Sequence, residues 1–248
     1  MRLDGKIAVV TGAAGGIGSA LAARFVAEGA QVVGVDRRPS NGVRECDVTD
    51  AAAVAELVQG VIDQHGRIDL FCSNAGITTG VALDDPDDLW HVGYEINVMA
   101  HVYAARAVIP HMLDNGGGYL LNTASAAGLL TSPGDAVYAV TKHGAVAFAQ
   151  WLSITYGARG IRVSVLCPMG VATPMLMDPL AAGDPAAQAV AASGEIVTPE
   201  HVADTVIAGL AAETFLILPH PEVGRFWAQK AADPDRWLAG MRRLTEST

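Results

Sequence analysis

The chain has 248 residues, 51% of them hydrophobic and only 17% charged, with a formal net charge of −10. That is enough apolar material for one domain with a core covered on both faces, and the acidic balance excludes a surface built for nucleic acid or an anionic membrane. Cys46, Cys72 and Cys167 are odd in number and isolated, which fits free thiols in a reducing compartment and excludes a disulfide framework or a zinc site.

In chain order, the opening M-R-L-D-G-K-I-A-V-V stops being apolar at Thr11-Gly12, too early for a signal peptide. A cytoplasmic protein is expected. Residues 7–10 read as a buried strand. Gly12, Gly15, Gly16, Ile17 and Gly18 follow, then an amphipathic helix through Leu21, Phe25 and Val26 that ends at Gly29. A strand running into glycines and then a helix lets backbone approach a pyrophosphate, with the helix N-terminal amides pointing at it. For a lone motif, a structural turn is the alternative. Residues 31–35 form a second strand ending at Asp36, a carboxylate about 20 residues past the glycines that can accept from ribose hydroxyls and repel a 2′-phosphate. Asp36 therefore favours NAD over NADP. Arg37 and Arg38 act in the opposite sense, while Ala13 and Ala14 put no base inside the loop.

Residues 43–46 read as a short third strand and residues 50–64 as a helix that Asp47, Thr49 or Asp50 could cap. Residues 68–72 form a fourth strand leading into Ser73-Asn74-Ala75-Gly76. The acidic run D-D-P-D-D at 84–88 reads as a solvated helix start, not a metal site. The helix expected over 87–113 carries Asn97 and three histidines. His91, His101 and His111 lie ten apart, so they point in three directions and read as ordinary polar or interface residues.

Residues 119–123 form a fifth strand that delivers Ser125. Ser132-Pro133 reads as a helix start, and on that helix Tyr138 and Lys142 share a face at i,i+4. A free phenol has a pKa of about 10. An ammonium one turn away favours the phenolate, so Tyr138 could exchange a proton with an alcohol or carbonyl while Ser125 donates to the same oxygen. The helix carries no charge from residue 143 to residue 158, so it must be buried on all sides, one of them by another subunit. Residues 161–167 form a sixth strand, and Cys167 reads as a buried, inert thiol. The run 163–177 is apolar, but Pro168, Gly170 and Pro174 break it short of a membrane span.

Residues 173–200, Ala-rich and opened by Met175, Leu176 and Met177, read as a substrate lid, with core packing as the alternative. Residues 199–212 read as a helix and 215–218 as a seventh strand. Residues 220–248 suit one or two amphipathic helices through Phe226, Trp227, Trp237, Leu238 and Met241. The alternation gives one α/β domain, a doubly wound parallel sheet of seven strands with its ligand at the strand carboxyl ends.

The glycine pattern T-G-x-x-x-G-x-G, Asn74-Ala75-Gly76, Asn97, Ser125 and Tyr138-x-x-x-Lys142, in this order and spacing, resemble the short-chain dehydrogenase/reductase family over residues 5–220. The resemblance implies a Rossmann fold and an NAD-dependent oxidoreductase that needs no metal, since hydride passes directly between substrate and nicotinamide. Tyr138 would transfer the proton, and Lys142 would tune it while holding the nicotinamide ribose hydroxyls. Ser125 would polarise the reacting oxygen, and the Asn97 backbone carbonyl would hold a water linking Lys142 to solvent. The resemblance also places Asp47 and Val48 beside the adenine, the main chain of Pro168 and Gly170 against the nicotinamide, and Val171 and Thr173 at its carboxamide. It implies pairing through the 143–158 helix and its predecessor into a homodimer or homotetramer.

Three departures stand out. Ser73 replaces a second Asn, Met169 replaces a usual Gly, and the end lacks the V-D-G-G-like turn of many reductases in the family. The expected activity is interconversion of a hydrophobic secondary alcohol and its ketone, with Leu129, Leu130, Met175, Leu176 and Trp90 as the apolar flank. An NADPH-dependent biosynthetic ketoreductase and a catalytically silent NAD sensor are the alternatives, the complete catalytic set counting against the sensor.

Overall fold

The structure is a computed structural model that describes residues 1–40, 42–80 and 82–246. Strand β1 (Ile7–Thr11) is buried at every position, as is β4 (Leu70–Ser73). That double burial is why these strands read as unbroken apolar runs. With β2 (Gln31–Asp36), β3 (Arg44–Glu45), β5 (Gly118–Thr123), β6 (Ile161–Leu166) and β7 (Leu216–Ile217), they form one seven-stranded sheet in the order β3-β2-β1-β4-β5-β6-β7. Every pairing is parallel. The chain moves outward from β1 through β2 to β3, then returns to β4 and proceeds the other way. The crevice where the direction reverses, at the carboxyl ends of β1 and β4, is where open α/β sheets bind ligands.

Helices cover both faces. Helix α1 (Gly16–Ala27) packs against α8 (Pro199–Ala212) on one side, over a core that includes Leu21, Phe25, Val202 and Leu210. On the other side α2 (Ala51–His65), α4 (Ala100–Asp114) and α5 (Ala136–Tyr156) close over Val54, Val58, Val108, Ala145, Ala149 and Leu152. Asp50 caps α2, accepting from the amides of Ala52 and Ala53. The segment expected as a lid folds into two short helices, α6 (Pro174–Ala181) and α7 (Pro185–Ser193). The C-terminal stretch forms α9 (Pro221–Ala232) and α10 (Pro234–Glu246), with the Phe226 and Trp237 rings in contact at 6.2 Å. Residues 247 and 248 of that stretch lie outside the described residues.

Two expectations need correction. The helix bearing Tyr138 begins at Ala136, not at Ser132-Pro133. Gly134 turns the chain at φ +88°, and Asp135 supplies the cap. The helix over 87–113 is interrupted: α3 (Asp87–Tyr94) passes through a π turn, Glu95–Met99, before α4 begins. Helix α5 is covered on its sheet side and open on the other. Val140, Trp151 and Ile154 are exposed on it, Ile154 by 83%. Among the described residues, no helix is long and apolar enough to cross a membrane.

Candidate active site

The turn after β1 is shaped around close backbone approaches. Gly12, at φ +69°, leaves no room for a side chain: a Cβ there would lie 3.0 Å from the Cα of Ala75. A Cβ on Gly18 would run into the carbonyl oxygen of Gly12. Gly15 faces open space and Gly16, at φ +54°, lies under Thr173, whose Cγ2 would be 3.2 Å from a Cβ. The free amides at the start of α1 therefore open into a cleft roofed by the segment after β6. Half-buried Ile17 packs into the core beneath. At the end of β2, Asp36 accepts from the Ala14 amide at 3.2 Å and the Arg38 amide at 3.1 Å. Each oxygen keeps a lone pair for a ribose hydroxyl. Arg37 is exposed beside it. Asp47 is held by the Thr49 amide and hydroxyl, bonds that lower its pKa, with a smaller contribution from Arg37. Val48 lines a narrow cavity between β1, β4 and α4. These residues fit a dinucleotide: a glycine cradle in which a Cβ at Gly12 or Gly18 would meet backbone, at a helix N-terminus, flanked by a carboxylate.

The loop after β4 locks the crevice. The Thr11 hydroxyl accepts from the amides of Asn74 and Ala75 at 2.9 and 3.0 Å, and the Asn74 side chain donates to the Thr11 carbonyl and accepts from the Thr123 hydroxyl. Asn74 thus ties the ends of β1, β4 and β5 together. A Cβ on Gly76 would come within 3.1 Å of both Asn97 Oδ1 and Lys142 Nζ. Asn97 is completely buried in the π turn. It accepts from the Ile77 amide and donates to the Ile77 carbonyl, both at 3.0 Å, and donates to the Thr141 hydroxyl at 3.1 Å. Single π turns inside α-helices recur at functional sites.

Ser125, just past β5, accepts from the Ala127 amide and donates weakly to the Pro168 carbonyl at 3.4 Å. Lys142 Nζ lies 5.5 Å from the Tyr138 ring centroid and donates to the Thr123 carbonyl at 3.2 Å. Pro168, Gly170, Val171 and Thr173 run along the other wall. Val171 is buried and paired with Val197, and Thr173 folds back onto the Val171 carbonyl. Asn97, Ser125, Tyr138 and Lys142 therefore converge at the carboxyl ends of β4 and β5.

Burial governs the charges here. It pushes the Lys142 ammonium down to about 8. Burial also pushes the Tyr138 phenol up, opposed mainly by its hydrogen bond with Ser125, with Asp135 adding to the rise. The shift of Tyr138 is therefore upward, and the lowering expected from Lys142 is not among its causes. Cys167 is pushed up to about 12 by burial, which makes it an inert thiol.

Residues 6–182 match the short chain dehydrogenase family. The chain belongs to that family. Among similar proteins, the 1-deoxy-11-beta-hydroxypentalenate dehydrogenase of Streptomyces avermitilis is 34% identical, with the alignment covering all of this chain and 97% of that protein. The 3-oxoacyl-(acyl-carrier-protein) reductase of Thermotoga maritima is 32% identical over 71% of this chain and 78% of its own. In structure, a short chain dehydrogenase/reductase from Burkholderia phymatum, solved in complex with NAD, superposes with a TM-score of 0.84 at 26% identity, covering 95% and 96% of the two chains. This short-chain dehydrogenase is accordingly an oxidoreductase that acts on CH–OH groups with NAD(P).

Sequence reasoning missed four side chains around this site. Asp135 is buried and accepts four hydrogen bonds, from the Thr79 amide and hydroxyl, the Gly80 amide and the Tyr138 amide, at 2.7 to 2.9 Å. Its signal was present: Asp three residues before the end of the first turn is a cap. His220 and Lys230 reach the site from the C-terminal segment, where no local pattern marks them. His101 was read as an ordinary polar or interface residue, yet it is 1% exposed. Among the described residues its ring nitrogens make no hydrogen bond of ordinary geometry, and burial, with Lys142 nearby and Asn122 opposing, pushes it down to about 4. His91, by contrast, is exposed. Of the expected apolar flank, Leu129 and Leu130 are buried in the core, whereas Met175 is 42% exposed and Trp90 half-buried.

Proposed function

We propose that this chain is an NAD-dependent dehydrogenase that interconverts a hydrophobic secondary alcohol and its ketone. The observation that carries the reading is the convergence of Tyr138, Ser125, Lys142 and Asn97 beside the glycine cradle. An oxidised nicotinamide dinucleotide, when bound, would supply the hydride acceptor and a positive charge.

The chain's own part is proton handling and orientation. Ser125 donates to the reacting oxygen and Tyr138 takes the hydroxyl proton during oxidation, returning it during reduction. Because burial keeps Tyr138 protonated in the ligand-free protein, the phenol starts as a donor and becomes a base only when further positive charge joins Lys142. Lys142 would hold the ribose hydroxyls, and the Asn97 backbone carbonyl would hold a water that connects it to solvent. The carboxylate of Asp36 favours NAD. Relatives named as dehydrogenases of hydroxylated compounds support the oxidative direction. Met175, Leu176 and Met177 at the start of α6, partly exposed above the cleft, support an apolar substrate under a lid formed by residues 173–200. The exposed side of α5 supports a homodimer or homotetramer.

Arg37 and Arg38 favour a second reading, an NADPH-dependent ketoreductase with the same catalytic residues. Activity of Tyr138→Phe, and the rates with NAD(H) and NADP(H) over a panel of secondary alcohols and ketones, test both. Tyr138→Phe is expected to lose turnover while binding NADH as tightly as the parent. An active Tyr138→Phe refutes the assignment, and a preference for NADPH selects the second reading.

A further inference from the structure

Helix α9 touches both loops that frame the cleft. At its N-terminal end the His220 imidazole is 1% exposed. The Met169 amide donates to Nδ1 at 3.2 Å, and the carbonyls of Gly170 and Glu195 face Nε2 at 3.0 and 3.2 Å. Carbonyl oxygens only accept, so Nε2 carries the proton and Nδ1 is bare. One neutral ring in one tautomer thus grips the segment along the nicotinamide wall and the far end of the lid. It also satisfies the amide of Met169, the residue that replaces the family's usual glycine.

Ten residues further along this helix, about 15 Å away by helix geometry, Lys230 Nζ donates to the carbonyls of Leu129 and Leu130 at 2.8 and 3.2 Å. Those carbonyls close the turn that begins at Ser125. The next residue, Thr131, sits at φ 121°, a conformation that strains a β-branched residue and persists only where the surroundings over-determine it. Two charge-assisted hydrogen bonds onto the preceding carbonyls supply that constraint.

We propose that α9 is a strut of the active site, in which His220 is a positioning residue for the nicotinamide loop and lid and Lys230 for the turn that carries Ser125. The proposal rests on the functional reading above. It separates the two ends by the ligand each one serves: His220 acts on coenzyme affinity, Lys230 on the chemical step.

The test uses the full chain and measures the NADH dissociation constant, kcat and backbone hydrogen exchange for His220→Leu, His220→Gln, Lys230→Met and Lys230→Arg. His220→Leu is expected to weaken NADH about tenfold and to speed exchange of the Met169 amide in the ligand-free protein, with kcat at saturating coenzyme changed less than about threefold. Lys230→Met is expected to lower kcat about tenfold and to speed exchange across residues 126–130, with NADH affinity unchanged. His220→Gln and Lys230→Arg, which keep the donors, are expected to recover most of each loss. Should His220→Leu or Lys230→Met fail to fold, His220→Ala or Lys230→Ala takes its place: an effect confined to one constant supports the strut. Donor-removing variants (Leu, Met or Ala) that shift both constants together, or neither, overturn it. If the parent binds no NADH or Tyr138→Phe stays active, the functional reading itself has failed. An active parent, a dead Tyr138→Phe and silent α9 variants would refute the strut alone.

Discussion

Replacing Asp135 by Ala should damage stability and catalysis together, because one buried carboxylate joins two parts of the site. It accepts from the Thr79 amide and hydroxyl and the Gly80 amide on the loop after β4, and from the Tyr138 amide in the first turn of α5. Alanine would strand three backbone amides, and a buried donor left without a partner costs about 1–3 kcal/mol. Loss of a helix cap by itself costs roughly 1 kcal/mol. Some of these amides would recover water, so the net loss should be about 3–5 kcal/mol, the usual scale for breaking a buried network. In a chain of this size that corresponds to a fall in Tm of about 10 °C. Thermal unfolding by circular dichroism measures it, and kcat at saturating substrate reports the second effect. With the first turn of α5 released from the loop, Tyr138 should lose its alignment with Ser125, lowering kcat by roughly 10²-fold. Asp135→Asn keeps one acceptor oxygen and should fall between. A Tm within 2 °C of the parent with unchanged kcat, where ~10 °C is expected, would show that these hydrogen bonds do not hold the site together.

Other outcomes follow from the same structure. His101 stays neutral in the folded chain until about pH 4, whereas in the unfolded chain it takes up a proton near pH 6.5. Its contribution is therefore fully present above 6.5 and lost as pH falls toward 4, by up to about 3 kcal/mol. His101→Leu should flatten the acid limb of urea-measured stability, since it removes the buried group whose protonation is displaced. An unchanged acid limb would refute this. Lys142, pushed down to about 8, loses its charge as pH rises through that value, so NADH affinity by fluorescence titration should weaken there. A limb only near the ordinary lysine value of about 10.4 would count against it. Gly18→Ala should abolish NADH binding, because its Cβ meets the Gly12 carbonyl, while Gly15→Ala, facing open space, should leave Tm nearly unchanged. Equal effects of the two would contradict the cradle geometry.

Much of this protein is local enough to be read along the chain. Parallel strands buried on both faces must be continuous apolar runs, so β1 and β4 showed themselves. Glycines that admit no Cβ, and an Asp closing the second strand, marked the nucleotide side for the same reason: backbone conformation and close approach are residue-intrinsic. The Tyr138–Lys142 spacing follows from the pitch of a helix. What depends on distant chain did not show. The start of α5 was misplaced by three residues, from Pro133 to Ala136, because the capping carboxylate of Asp135 is also recruited by Thr79 and Gly80. His101 carries the same polar signature as exposed His91, and only the packing of α4 on the sheet decides that its ring is buried. The shift of Tyr138 went against local expectation because desolvation, a property of everything packed around it, is its largest cause. His220 and Lys230 meet the site only because α9 folds back across it. Local chemistry dictates which elements form and which groups are competent, whereas burial and long-range hydrogen bonds, which sum over the whole fold, decide the environment each group works in.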